Sequence, residues 1–293
     1  MIVVPGPSSL ELGEKVAQRL GVLAVGVEHK VFPDGEDYLR LMGPVKHEDV
    51  AIIQTTSPPA DSHLMQLLLL ARTTKDFGAH KVVAVVPYLA YARQDKRFLE
   101  GEALSIDIII RFIEAAGIDS LITFEIHAED ILKRFRIPAQ SLSAVSVIAG
   151  AVKSQGYSGA LSLSPDEGRI SMAMAGADIL GGGYDALDKT RDRHTGEVRI
   201  VEKNLPVQGR DVVVFDDVIS TGGTLALAVG LAKKCGARRI GVACTHPLLL
   251  GKAVERILGA GAQVILGTDS VPGPYGTVSL APLIAEALQK SDW

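Results

Sequence analysis

Short runs of β-branched residues alternate along the chain with longer stretches rich in Ala and Leu. The short runs fall at 50–54, 81–87, 121–126, 160–164, 211–215, 239–244 and 263–267, and they predict strands. Between them, 64–77, 106–116 and 224–235 predict helices. Strands alternating with helices in this way predict α/β units built around a mainly parallel sheet.

The pattern repeats within the chain. Asp49-Val50-Ala51-Ile52-Ile53 is answered by Asp211-Val212-Val213-Val214-Phe215, 162 residues further on (49 to 211). Downstream, Gly78-Ala79-His80-Lys81-Val82 is answered by Gly236-Ala237-Arg238-Arg239-Ile240, at an offset of 158 (78 to 236). Strand, helix, Gly-Ala turn and strand thus recur in the same order. The chain has 293 residues, long for a single hydrophobic core. Two similar α/β domains are expected, spanning residues 1–145 and 146–293.

Composition narrows the function. With 47% hydrophobic and 22% charged residues and no low-complexity tract, the chain reads as a globular protein. A net charge of −4 argues against a surface that coats nucleic acid, which needs clustered Lys and Arg. The apolar runs are too short to cross a bilayer, and no basic segment with an apolar core opens the chain. Cys235 and Cys244 fit no metal spacing and read as buried free thiols, which suits a reducing cytoplasm.

The sharpest local signal is Val212-Val213-Val214-Phe215-Asp216-Asp217-Val218-Ile219-Ser220-Thr221-Gly222-Gly223-Thr224. A buried strand ends in two carboxylates, and a small-residue turn then opens a helix. Gly222 and Gly223 let the backbone approach an anion, and N–H groups at a helix start point towards it. Ser220, Thr221 and Thr224 add hydroxyl donors. The adjacent carboxylates would repel a phosphate but accept hydrogen bonds from a vicinal diol. A strand end followed by a helix cap is the plainer alternative. The run resembles the phosphoribosyl-diphosphate motif shared by phosphoribosyltransferases and ribose-phosphate pyrophosphokinases. That resemblance implies that Ser220, Thr221, Gly222, Gly223 and Thr224 hold the 5-phosphate, while Asp216 and Asp217 hold the ribose hydroxyls. Ser220 stands where the pyrophosphokinases commonly carry Asp, so the loop alone does not choose between the two.

Four further segments resemble the pyrophosphokinases specifically. Phe32-Pro33-Asp34-Gly35-Glu36 follows a short strand and reads as a polar turn. Tyr91-Ala92-Arg93-Gln94-Asp95-Lys96-Arg97 packs three cations into five residues past a strand, which suits a polyphosphate better than a solvated face. By resemblance, Phe32 packs on adenine, Asp34, Gly35 and Glu36 engage base and ribose, and Arg93 and Gln94 meet the ATP. His127 follows the strand 121–126, and a lone His there reads first as a satisfied core imidazole. With Glu129 it fits the H-x-E of zinc deaminases, but no Pro-Cys-x-x-Cys follows. In the resemblance it supports magnesium (Mg2+), together with Asp166 of Ser164-Pro165-Asp166-Glu167-Gly168. Finally, Asp188 to His194 reads as a charged hairpin between the strand-like 184–187 and 198–201. A solvated tip is the plain alternative. It resembles the family's catalytic flag, which implies catalytic roles for Lys189 and Arg191, with Arg191 also at the ribose 5-phosphate.

These segments, with Thr245-His246-Pro247-Leu248-Leu249 and a closing helix at 281–287, extend the resemblance over nearly the whole chain. They are most similar to short archaeal-type members. The implied fold is α/β, with two phosphoribosyltransferase-like domains, each a mainly parallel sheet flanked by helices. The implied activity moves the β,γ-pyrophosphate of MgATP onto ribose 5-phosphate in a cytoplasmic homo-oligomer whose ATP site is shared between subunits. Two alternatives stay open: a phosphoribosyltransferase acting on a nucleobase, and a non-catalytic regulatory relative.

Overall fold

A computed structural model describes residues 1–187, 189–191, 198–200 and 205–290; for 189–191 and 198–200 it describes the backbone. The chain forms two compact units. The first comprises residues 1–143, to which 270–272 and the tail from Ser279 return; the second comprises 144–269 with 273–278. In chain order the first unit contains β1 (Ile2–Pro5), α1 (Leu10–Leu20), β2 (Val27–Val31), β3 (Asp37–Leu41), β4 (Asp49–Ile53), α2 (Ala60–Asp76), β5 (Lys81–Val86), α3 (Ser105–Ala115), β6 (Ser120–Phe124) and β7 (Ala139–Leu142). The second contains α4 (Val145–Val152), β8 (Leu161–Ser164), α5 (Ile170–Leu180), β9 (Tyr184–Ala186), β10 (Lys189–Arg191), β11 (Val198–Ile200), β12 (Asp211–Ile219), α6 (Gly223–Lys234), β13 (Arg239–Pro247), α7 (Ala253–Ala260), β14 (Val264–Thr268) and β15 (Gly276–Val278). The closing helix α8 (Ala281–Lys290) packs on α1 of the first unit, a return that a linear division of the chain does not foresee.

Each unit is built on a parallel sheet. The first has strand order β1-β4-β5-β6-β7 and the second β15-β14-β13-β12-β8-β9. Strands covered on both faces should be unbroken apolar runs, and Val50 to Ile53, Val82 to Val86 and Val212 to Phe215 are fully buried. Fully burying one such side chain contributes about 1.5–3 kcal/mol, so these central strands are the main source of each unit's stability. Among the described residues, no helix is long and apolar enough to cross a membrane.

The repeat seen in the sequence is structural. Asp49 pairs in register with Lys81, and Asp211 with Arg239, so β4-α2-β5 and β12-α6-β13 start alike. The turns entering them match too. His47 N–H donates to the Gly78 carbonyl at 2.8 Å, and Gly209 N–H to the Gly236 carbonyl at 2.8 Å. His47 therefore adopts a left-handed backbone (φ 66°) because it stands where the second copy has Gly209 (φ 69°).

Both copies also tie the start of one strand to the next through an aspartate side chain. Asp49 meets His80 at 2.7 Å, while buried Asp211 accepts two hydrogen bonds from Arg238, each 2.8 Å, and more from Arg239. Hydrogen bonds from Arg238, then Arg239, hold the Asp211 carboxyl well below the ordinary range. A depressed carboxyl contributes stability above its unfolded-state pKa and loses it as pH falls. Asp211→Asn is thus expected to cost about 1.5–3 kcal/mol at neutral pH. In urea unfolding, the gap from the parent protein should close as pH drops below about 4. A gap that is constant with pH would show that the ion pair is not its source.

Candidate active site

The proposed sugar-phosphate loop lies at the carboxyl edge of the second sheet, where open α/β sheets bind ligands. The structure corrects where its strand ends. β12 does not stop before the carboxylates but runs to Ile219, pairing Asp216 with Cys244, Val218 with His246 and Ile219 with Pro247. Hence Asp216 and Asp217 project from a central strand, close enough for their side chains to interact. β13 likewise runs on through Thr245 and His246 to Pro247, paired to β12. Apolar patterning missed both extensions because polar residues interrupt the apolar runs, Asp216 and Asp217 in β12 and Thr245 and His246 in β13.

The two carboxylates have different surroundings. Asp217 is buried and forms an ion pair with Arg169, and its Oδ1 accepts the Val218 N–H at 2.9 Å. Asp216 Oδ1 accepts the Asp217 N–H at 3.0 Å. Burial first, then the charges of Asp217 and Asp166, push the Asp216 carboxyl well above its ordinary range. Asp166 follows β8, the parallel neighbour of β12, which accounts for its influence there. Arg169 was not foreseen as a site residue, since its partner is far along the chain and nothing local marks the pairing.

After Ile219 the backbone is clamped. Leu249 N–H donates to the Ile219 carbonyl and Leu250 N–H to the Ser220 carbonyl, both at 2.9 Å, and Arg256 holds the Thr221 carbonyl. Gly222 then takes a left-handed conformation (φ 73°) as N-cap of α6, with no capping side chain and no acidic residue in the first turn. A Cβ there would lie 3.1 Å from the Ala253 carbonyl oxygen, so α7 closes the underside of the loop. Above Gly223 there is open space. The helix's hydrogen bonding begins from Ala226 N–H to the Gly222 carbonyl, at 2.9 Å. The N–H groups of Gly223, Thr224 and Leu225 precede it and face out of the helix start, an arrangement made for an anion.

The repeat provides a control. In the first unit, the corresponding loop after β4 is filled by its own side chains. Thr55 Oγ1 donates to the Ser270 carbonyl at 2.7 Å, and Thr56 Oγ1 donates to the Tyr88 carbonyl and accepts the Ala90 N–H, each at 2.8 Å. Thr55, Thr56 and Ser57 are buried and no glycine follows them, so this copy leaves no room for a phosphate.

In the first unit, the predicted nucleotide segments occupy two places. Phe32 to Glu36 form the tip of the β2–β3 hairpin, closed by hydrogen bonds from Phe32 N–H to the Glu36 carbonyl (2.8 Å) and Gly35 N–H to the Phe32 carbonyl (2.9 Å). The Phe32 ring is 42% exposed, edge-on to Tyr38 with centroids 6.0 Å apart, and Lys30 Nζ lies 5.6 Å from its centre. Asp34 Oδ1 accepts the Glu36 N–H at 3.2 Å. Past β5, Arg93 is exposed, whereas Gln94 donates to the Lys96 carbonyl at 3.1 Å and Arg97 to the Glu102 carbonyl at 2.9 Å. His127 is exposed just past β6.

Backbone strain marks the same edges. Tyr91 (φ 65°), Glu125 (φ 33°) and Leu249 (φ 47°) are left-handed non-glycine residues following β5, β6 and β13. Such conformations cost about 1–3 kcal/mol each and gather at functional sites.

Two expectations change. The charged segment at 188–194 contributes a strand of its own. β10 pairs antiparallel with β11, Lys189 opposite Ile200 and Arg191 opposite Val198, while Tyr184–Ala186 joins the main sheet beside β8. The side chains of Lys189 and Arg191, all of Asp188 and residues 192–197 lie outside the described residues. Of the two thiols, Cys244 is buried but Cys235 is partly exposed at the end of α6.

Comparison with known proteins follows the two halves. A family model described as the N-terminal domain of ribose phosphate pyrophosphokinase matches residues 1–117, and a phosphoribosyl transferase domain model matches 161–256. The ribose-phosphate pyrophosphokinase of Saccharolobus solfataricus is 39% identical over 272 residues, covering 92% of this chain and 93% of its own. That of Methanobrevibacter smithii is 40% identical over 298 residues, covering 98% and 100%. The crystal structure of phosphoribosylpyrophosphate synthetase from Mycobacterium smegmatis matches with a TM-score of 0.86 at 29% identity, covering 98% of this chain and 97% of that one.

Proposed function

We infer the working of this site from the premise that the chain belongs to the ribose-phosphate pyrophosphokinase family. It is a transferase of nucleotide biosynthesis, moving the β,γ-pyrophosphate of MgATP to the 1-hydroxyl of ribose 5-phosphate and releasing AMP. The observation that carries the sugar site is the rigid carboxylate pair on β12 running directly into the uncapped start of α6. Ser220 to Thr224 take the 5-phosphate through N–H and hydroxyl donors, and Asp216 and Asp217 accept hydrogen bonds from the ribose diol. The first unit serves the nucleotide: Phe32 stacks on adenine, Asp34, Gly35 and Glu36 meet base and ribose, and Arg93 and Gln94 meet the phosphates.

Attack of the 1-hydroxyl on the β-phosphorus needs little covalent help from protein, so positioning and charge neutralisation carry the catalysis. In this reading, Lys189 and Arg191 close on the reacting phosphates and exclude water. Among the described residues, no group of three or more His, Cys, Asp and Glu forms a metal cage. Magnesium keeps several waters and uses one or two protein ligands plus substrate phosphates. His127 and Asp166 are the residues proposed for it, and the ion when bound would neutralise triphosphate charge. We further assign the protein to the cytoplasm, as a homo-oligomer with its ATP site shared between subunits.

Asp216→Asn and Asp217→Asn test the sugar site. Replacing a charged acceptor typically costs about 1.5–3 kcal/mol, roughly ten- to a hundredfold in affinity. Ribose 5-phosphate is expected to weaken by that factor while ATP changes little. Asp217→Asn should lose more, because Arg169 is left facing an amide. An unchanged ribose 5-phosphate titration in both variants would remove the diol role from this pair.

A further inference from the structure

The hairpin that carries Phe32 is not part of the first unit's sheet. β2 and β3 form their own two-stranded ribbon, and an isolated ribbon of that size is only marginally stable. Val27, Leu39 and Leu41 pack its base on the core, but that apolar contact does not reach the tip. What reaches it is polar. Asp37, the first residue of β3 after the tip, has a side chain only 5% exposed. Its Oδ1 accepts hydrogen bonds from His29 Nε2 at 2.6 Å and Gln66 Nε2 at 2.9 Å, and its Oδ2 accepts one from Ser62 Oγ at 2.9 Å. Ser62 and Gln66 belong to the first turns of α2.

The chain of bonds continues into the core. Gln66 Oε1 accepts from Gln54 Nε2 at 3.1 Å, and Gln54 Oε1 accepts the Ser8 N–H at 3.2 Å. Gln54 is fully buried at the carboxyl end of β4. One carboxylate thus joins the far end of a ribbon to a helix and to the central sheet. Burial alone would raise its pKa, yet the hydrogen bonds from His29, Gln66 and Ser62 outweigh it and hold the group below its ordinary value.

We propose that Asp37 is a positioning residue for the nucleotide, pinning the Phe32–Glu36 tip to α2 so that the Phe32 ring meets the adenine in one place. The inference rests on the assignment of that tip to ATP. A binding ring on an unpinned ribbon must be ordered by the ligand itself, which weakens binding without touching the sugar site. The network is also specific about chemistry. An ionised carboxylate only accepts, and two donors converge on Oδ1. Ala removes that acceptor from both, leaving Gln66 Nε2 only its 3.2 Å bond to Ser62 Oγ. Asn preserves the pattern: its amide oxygen takes Oδ1's two bonds, and the Ser62 hydroxyl reverses to accept from the amide nitrogen.

Steady-state kinetics on the full chain, beside thermal melts, test this with five variants. Asp37→Ala is expected to raise KM for ATP about tenfold or more, with KM for ribose 5-phosphate within twofold. Gln66→Met, which removes one donor at similar volume, is expected to raise it several-fold, and should decide by the same criteria if Asp37→Ala does not fold. Asp37→Asn should stay within about threefold of the parent. Ile113→Val, a buried truncation on α3, lowers stability without touching the network and should leave KM for ATP unchanged. Phe32→Ala reports on the tip itself. If it raises KM for ATP while Asp37→Ala and Gln66→Met do not, the positioning role is wrong and the nucleotide assignment stands. If Phe32→Ala also has no effect, the assignment of the tip fails and the inference with it. A KM that simply follows melting temperature through all five variants would reduce the network to a structural one.

Discussion

Lys189→Ala is expected to leave a folded enzyme that binds ATP almost normally but turns over about 10²–10³-fold more slowly, a barrier increase of roughly 3–4 kcal/mol. Lys189 belongs to the short β10–β11 ribbon, which is paired apart from the six-stranded sheet of its unit. Truncation there should therefore cost little stability. If the ammonium meets the phosphoryl oxygens chiefly as charge develops, the loss belongs to kcat rather than to ground-state binding. Arg191→Ala should also lose rate, and it should weaken ribose 5-phosphate as well, since a guanidinium can grip phosphate in two places. Steady-state kinetics beside a thermal melt decide the matter. A Lys189→Ala enzyme within a few-fold of the parent kcat would make the ribbon a charged turn and nothing more.

The second large effect is expected at Gly222. Its backbone is left-handed, a conformation that costs a side-chain-bearing residue about 1–2 kcal/mol. An added Cβ would also press on α7, at 3.1 Å from the Ala253 carbonyl and from Ile257 Cδ1. Neither neighbour can retreat freely, because one is helix backbone and the other is buried core. The loop must lift instead, and its N–H donors lift with it. Misplacement by about 1 Å can cost two orders of magnitude, so Gly222→Ala is expected to lower kcat/KM for ribose 5-phosphate about a hundredfold while KM for ATP moves only a few-fold. Gly223→Ala separates damage to the fold from damage to the site. Its Cβ meets no protein atom, so the fold should be untouched and only sugar-phosphate binding should suffer. Normal ribose 5-phosphate kinetics in Gly222→Ala would mean that the loop does not cradle the phosphate.

Much of this architecture was legible because buried parallel strands write themselves as unbroken apolar runs. The strands at 81–87 and 239–244 and the helix at 224–235 appear within a few residues of their predicted places. The duplication was legible for the same reason, and it extends to details the sequence does not announce, such as the left-handed turn shared by His47 and Gly209. What stayed hidden depends on distance in the chain. Arg169 beside Asp217, and Asp37 joined to His29, Ser62 and Gln66, are contacts between elements, and no local pattern encodes them. Nor does hydropathy show a strand continuing through Asp216 and Asp217, because its neighbour β13, not its own side chains, keeps it extended there. The return of α8 to the first unit is hidden likewise. Its apolar stripe says that it packs on something, and only the fold says that this is α1.

The central claim is that the β,γ-pyrophosphate moves as one group, and the products test it most directly. The protein should be mixed with MgATP and ribose 5-phosphate, quenched at early times, and the nucleotides and sugar phosphates separated. Attack at the β-phosphorus predicts AMP and 5-phosphoribosyl 1-diphosphate in equal amounts with no ADP. ADP as the first nucleotide product would mean attack at the γ-phosphorus and would contradict the account.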